Sequence, residues 1–199
     1  MKKIKINNLL LKKKFLKTKP AFSLIELLVS IGIIVLISGL FLASYRTANK
    51  QAELTRSVSD LSSSYRKALN QTLGLSEFDG TVPEGGWGVH IDLNYDTTKY
   101  YVFADRDNNG QFDDGEANQE AGGEIINTPR NIDIDSIVIN GTNVSYLDVI
   151  YIPPYPTIIL YSPDITGEIT EAEITMLNSE TGNTRAVEVN FLGLVDMLD

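Results

Sequence analysis

A twelve-residue run in the middle of the chain has the residue types and the spacing to hold a cation. In Asp105-Arg106-Asp107-Asn108-Asn109-Gly110-Gln111-Phe112-Asp113-Asp114-Gly115-Glu116, acids or amides fall at positions one, three and five. Gly stands at six, Asp at nine and Glu at twelve, which is the spacing of a calcium loop. Asp105, Asp107 and Asn109 would offer side-chain oxygens, Gln111 its backbone carbonyl, Asp113 a carboxylate or a water-mediated contact, and Glu116 a bidentate carboxylate. Hard oxygen ligands at alternate positions can wrap one ion while Gly110 makes the sharp turn. Such an ion would be structural, offsetting repulsion among Asp105, Asp107, Asp113 and Glu116, with an affinity as weak as about 0.1 to 1 mM. The same residue types also favour solvated, metal-free turns for purely local reasons. The incoming residues 100–104 read as a strand, so the flanks are not those of an EF-hand.

Other chemistry has little support. The sole histidine, His90, lies beside Asp92 on the polar face of a strand and is expected at the surface. Serines are many, but there is no G-x-S-x-G elbow, and one histidine would have to serve any triad. No P-loop or dinucleotide fingerprint occurs, and the absence of cysteine excludes thiolate chemistry and disulfide staples. An enzyme is therefore not expected. After Ala21 the chain carries nine Lys and Arg against all 26 Asp and Glu, a net charge of −17 that the overall −9 conceals. That balance argues against nucleic acid as a partner, although Arg46, Lys50 and Arg56 make a local basic group.

The elements that would position the loop are β-strands. Residues 85–93 alternate Trp, Val, Ile and Leu on one face with Gly, His and Asp on the other, then a polar turn leads into 99–104, giving a hairpin. Further strands are expected at 132–139, 149–152, 157–161, 171–177 and 186–194, the last two flanking a second hairpin turn. Pro153, Pro154 and Pro156 cannot donate ladder bonds, which assigns that segment to an edge, a bulge or a sheet-to-sheet crossing. Before the strands, Ala48, Ala52, Leu54, Val58, Leu61, Tyr65, Ala68, Leu69 and Thr72-Leu73 recur every three or four residues, the stripe of an amphipathic helix over 46–75 that stops near Gly74. Trp87 is expected to pack in the core beneath that stripe.

The helix has a different first half. Residues 22–45 hold one charge, Glu26, and apolar side chains all the way round. At about 1.5 Å per residue they can cross a hydrocarbon core of about 30 Å. Residues 1–21 carry eight lysines and no acid, and such flanks stay cytoplasmic, which sends the remainder outward. The helix would run unbroken from 22 to 73, or kink near Gly39 or Ser44.

The junction Lys19-Pro20-Ala21-Phe22-Ser23-Leu24-Ile25-Glu26-Leu27-Leu28 resembles the class III leader of type IV pilins and type II secretion pseudopilins. There a basic leader precedes a small residue, Phe, a hydroxyl residue, Leu, any residue, Glu and an apolar helix. The resemblance implies cleavage by a prepilin peptidase between Ala21 and Phe22 and N-methylation of the new Phe22 amine; Ala21 stands where the family usually has Gly. It also implies that Glu26 pairs with the methylated amine of a neighbouring subunit's first residue. A lone carboxylate at the centre of a bilayer costs about 2.5 to 3.5 kcal/mol, less towards the interface, and snorkelling is the simpler alternative to pairing. The order of the later pieces, a GGWGVHIDL strand, a strand with the acidic loop, a strand ending in prolines and a last strand near Val-Asn-Phe-Leu-Gly, looks like the H-type minor pseudopilins.

These readings combine into an α+β protein: a basic leader (1–21), a transmembrane half-helix (22–45), an amphipathic half-helix (46–75) and an extracytoplasmic β-rich domain (76–199) forming an antiparallel sheet or sandwich. The family resemblance implies a structural, minor subunit of a pilus or pseudopilus in the inner membrane. Its expected partners are other pilin or pseudopilin subunits, the peptidase and an inner-membrane assembly platform. The alternative is a membrane-anchored binding domain or enzyme that uses a pilin-like leader only for export.

Overall fold

A computed structural model describes residues 22–154 and 157–198; the leader with Ala21, and also Pro156, lie outside the described residues. The chain divides into two units, Met1–Ser44 and Tyr45–Asp199. Helix α1 covers Leu24–Leu73.

In the first unit, Ser23 caps the helix. Its Oγ accepts the Glu26 N–H at 3.2 Å, and its carbonyl accepts the Leu27 N–H at 3.1 Å. Glu26 thus sits in the first turn, where unpaired N–H groups favour an acid. Gly39 and Ser44 both carry helical backbone. From Phe22 to Leu42 the large apolar side chains are exposed, Leu24 at 84% and Leu40 at 66%. This helix is long and apolar enough to cross a membrane, and none of its most apolar window is buried within the fold.

In the second unit the helix shows one covered stripe. Leu54, Val58, Leu61, Tyr65 and Ala68 are buried, with Leu69 partly so. Their three-and-four spacing puts them on one face, as the sequence predicts. The stripe differs from expectation at its ends, where Ala48, Ala52 and Leu73 are exposed, and along its length, where Ser57, Ser62 and Ser64 are buried; Thr72 is buried as expected. Thr72 is covered because its Oγ1 donates to the Tyr151 carbonyl at 2.9 Å and accepts the Trp87 N–H at 3.0 Å. The helix ends one residue before Gly74, and the left-handed residue is Leu75 (φ 49°). The Ser76 N–H closes the end on the Gln71 carbonyl at 2.9 Å.

Ten strands follow: β1 Gly86–Asp92, β2 Lys99–Asp105, β3 Glu124–Asn127, β4 Ile132–Ile139, β5 Thr142–Val144, β6 Tyr146–Ile152, β7 Thr157–Tyr161, β8 Glu171–Asn178, β9 Thr184–Asn190 and β10 Val195–Leu198. They form two five-stranded antiparallel sheets, ordered β3-β2-β1-β6-β7 and β10-β9-β8-β4-β5. The α+β expectation holds, as do both hairpins, β1–β2 and β8–β9. The single strand expected at 186–194 is two: β9 ends at Asn190, whose side chain accepts the N–H groups of Leu192 and Leu194 to turn the chain into β10. Strands β3 and β5, four and three residues long, escape a search for longer alternating runs.

One core joins the helix stripe to a face of each sheet. Val89, Ile91, Val102, Leu147 and Val149 come from the first sheet, and Ile134, Ile137, Ile174, Val187 and Val189 from the second. Trp87 is 1% exposed, edge-on to Phe78 with centroids 5.9 Å apart, and its Nε1 donates to the Ser76 carbonyl, so the expected core role holds.

Candidate functional site

The acidic loop leaves the end of β2 and returns beside it, with Ala104 N–H donating to the Glu116 carbonyl at 3.1 Å. Asp105 is the last strand residue and fully buried; Glu116 is 5% exposed. Space for the Asp105 carboxyl exists because position 85 is glycine: a Cβ there would overlap it. Gly110, at φ 75°, makes the turn that points its N–H at Asp105 Oδ2, 2.9 Å away.

Of the six residues singled out by spacing, the fold gathers three tightly. Carboxylate oxygens of Asp105, Asp107 and Glu116 lie within 4.8 Å of one another. Glu116 accepts the Arg106 N–H at 2.8 Å and the Asp113 N–H at 3.0 Å. Asp113 is joined to the group through Asn109, whose Nδ2 reaches Asp113 Oδ2 at 2.8 Å and Asp107 Oδ2 at 3.2 Å. The Asn109 Oδ1 accepts the Gln111 N–H at 2.7 Å. The amide nitrogen therefore stands between two carboxylates and supplies the positive end of a dipole to both. Burial raises the proton affinity of Asp105 and Glu116; the N–H groups aimed at them oppose this in part, and neighbouring acids add to it. Three carboxylates at such distances, Asp105 and Glu116 buried and Asp107 exposed, could hold a hard divalent cation when ionised.

The loop also covers the outer face of the first sheet. There, paired residues make a row across all five strands: Ile125 opposite Tyr101, Tyr101 opposite His90, His90 opposite Asp148, and Asp148 opposite Tyr161. Residues directly opposite in a sheet share a face, so these side chains are neighbours. Phe112, from the loop, stacks on His90 with centroids 4.2 Å apart and planes 17° apart.

This corrects the expectation for His90. It is 4% exposed, not a surface residue, and its Nδ1 meets Asp148 Oδ1 at 2.6 Å. Asp148 is fully buried and also accepts the Phe112 N–H and the Tyr146 hydroxyl through Oδ2, both at 2.9 Å. Three donors satisfy the carboxylate, which makes its burial tolerable. Burial and the adjoining carboxylate push the Tyr146 hydroxyl up. The strand expected at 149–152 begins earlier, at Tyr146, and with it a signal that could have led here: Asp148, an acid between Leu147 and Val149, needs a buried partner. His90 was the residue opposite.

Beside this pair lies a cleft of about 540 Å³, walled by His90, Tyr101, Phe112 and Tyr146, with Asp92 and Asp114 among its polar groups. The sequence reading did not foresee it, because its walls come from β1, β2, β6 and the loop at once.

Ala21 lies outside the described residues, and Phe22 is 76% exposed ahead of the first helical turn. Glu26 stands four residues after Phe22 on the exposed apolar stretch of α1. Comparisons with protein-family models, with curated proteins and with solved structures returned no match to this chain.

Proposed function

We propose that the protein is a structural, minor subunit of a type IV pilus or a type II secretion pseudopilus. One observation carries the reading: the large apolar side chains from Phe22 to Leu42 are exposed around a helix that holds a single acid in its first turn. Such a surface is stable only against lipid or other helices, and helix association in lipid depends on close packing and on polar contacts. Glu26 supplies the polar contact, pairing with the methylated Phe22 amine of a neighbouring subunit. Before assembly the first half of α1 anchors the chain in the inner membrane, and residues 45–199 lie on the outer side. Prepilin peptidase cuts the chain on the cytoplasmic side, between Ala21 and Phe22, and the assembly platform acts on it in that membrane.

Mass spectrometry of the mature N-terminus tests this directly. N-methyl-Phe22 is expected; an intact Met1, or cleavage after Ala43, overturns the reading in favour of an anchored domain with an export leader. Glu26→Ala should leave export unchanged and impair incorporation into the filament, and normal incorporation would contradict the pairing.

The acidic loop in this proposal holds calcium as a structural ion, through Asp105, Asp107, Asn109, Gln111, Asp113 and Glu116. Bound calcium would neutralise the carboxylates that the fold brings together. At about ten times its dissociation constant it should stabilise the protein by about 1.4 kcal/mol. Thermal unfolding of the full chain in millimolar calcium against chelator reads this, and equal midpoints would remove calcium from the proposal.

A further inference from the structure

We infer that the cleft on the outer face of the first sheet binds an arginine side chain presented by a peptide segment of another polypeptide. This does not depend on the assembly reading. The cleft has a built polar floor. His90 is buried, its ring lines the cavity, and the only partner of its imidazole nitrogens among the described residues is Asp148 on Nδ1. Asp92 and Asp114 add carboxylates to the lining, and no Lys or Arg is among the lining residues. The site therefore asks for a ligand rich in donors and positive in charge.

The walls specify which cation. Tyr101 and Phe112 stack with centroids 5.3 Å apart and planes 25° apart, and Phe112 continues onto His90, giving flat faces beside the carboxylates. A guanidinium is planar, lies on such faces and offers five donors in a fixed fork, whereas an ammonium is a compact, strongly hydrated charge. The chain itself shows that the outer rings accept a cation: Lys99 Nζ lies 4.6 Å from the centroid of the Tyr95 ring and 5.8 Å from that of Tyr101. A volume of about 540 Å³ exceeds one side chain and leaves room for adjoining backbone. From Tyr45 onward the chain carries nine basic against 25 acidic residues, a net −16 that draws basic segments from solution.

The sole histidine makes the test selective. The full chain in detergent micelles, with its histidine ring isotopically labelled, gives one imidazole resonance. A blocked Gly-Arg-Gly peptide should shift that resonance saturably. The citrulline analogue, equal in shape but uncharged, should bind at least about tenfold more weakly, and Gly-Lys-Gly should fall between. Asp114→Asn should weaken the arginine peptide about fivefold or more while leaving the free resonance in place. Equal binding of the citrulline peptide, an unmoved resonance, or the same shift from an N-acetylglucosamine trimer overturns the assignment. The citrulline arm needs no substitution, so it decides even where Asp114→Asn disturbs the loop.

Discussion

The two halves of α1 solve opposite problems with the same backbone. Before Ser44 apolar side chains point every way and none of the large ones is covered, whereas after Tyr45 Leu54, Val58, Leu61, Tyr65 and Ala68 are buried. The first half has no partner among the described residues of its own chain, and the second has two sheets. Apolarity is therefore a poor guide to burial within a subunit. What matters is whether apolar residues share one face, because a one-sided helix can be satisfied by its own domain and an all-round one cannot.

Substitutions and pH should separate the halves. Leu61, 0% exposed, touches the core from the second half, and Leu61→Ala should cost about 2 to 5 kcal/mol in denaturant unfolding. Leu36, 64% exposed, should change the same transition by less than about 0.5 kcal/mol when cut to Ala. Comparable losses would mean that the first half is covered by its own chain after all.

A smaller effect concerns alkaline pH. Burial pushes the Tyr100 hydroxyl, which meets Ser64 of the helix, up to about 12 from an ordinary 10.0. Below pH 10 the folded and unfolded states both keep this proton. Between about 10 and 12 the unfolded chain loses it first, so stability falls as pH rises through that window. Tyr100→Phe should flatten the decline in a pH series of thermal midpoints by roughly 1 to 3 kcal/mol. An unchanged slope would show that the hydroxyl is hydrated. The smallest effect is a gain: Ser62 Oγ is buried without a hydrogen-bond partner, and Ser62→Ala should stabilise by about 0.5 to 1 kcal/mol in the same assay. A loss on that substitution would place an ordered water at the hydroxyl.

Much of the fold was legible because periodicity is a local signal. The stripe from Leu54 to Ala68, the strands β4 and β7, and both hairpins follow directly from spacing and turn residues. Strand β1 was misread on one face. Gly88, His90 and Asp92 look solvated, yet the first two are buried: Phe112 of the loop from beyond β2 folds back over His90, and the side chains of Phe103 and Ile150 close over Gly88. The acidic loop was legible as a pattern, and the fold brings Asp105, Asp107 and Glu116 together. The His90–Asp148 pair was not, since 58 residues separate its members and only the register of β1 against β6 joins them.

That register has a consequence for how the first sheet finds its pairing. The row from Ile125 to Tyr161 places one charged group, Asp148, where three donors converge. Sliding β6 by a single residue would turn that carboxylate toward the aliphatic layer beneath the helix and strand the imidazole opposite it. The row thus works as an alignment key, admitting one mating of the strands and charging every neighbouring one with an uncompensated ion.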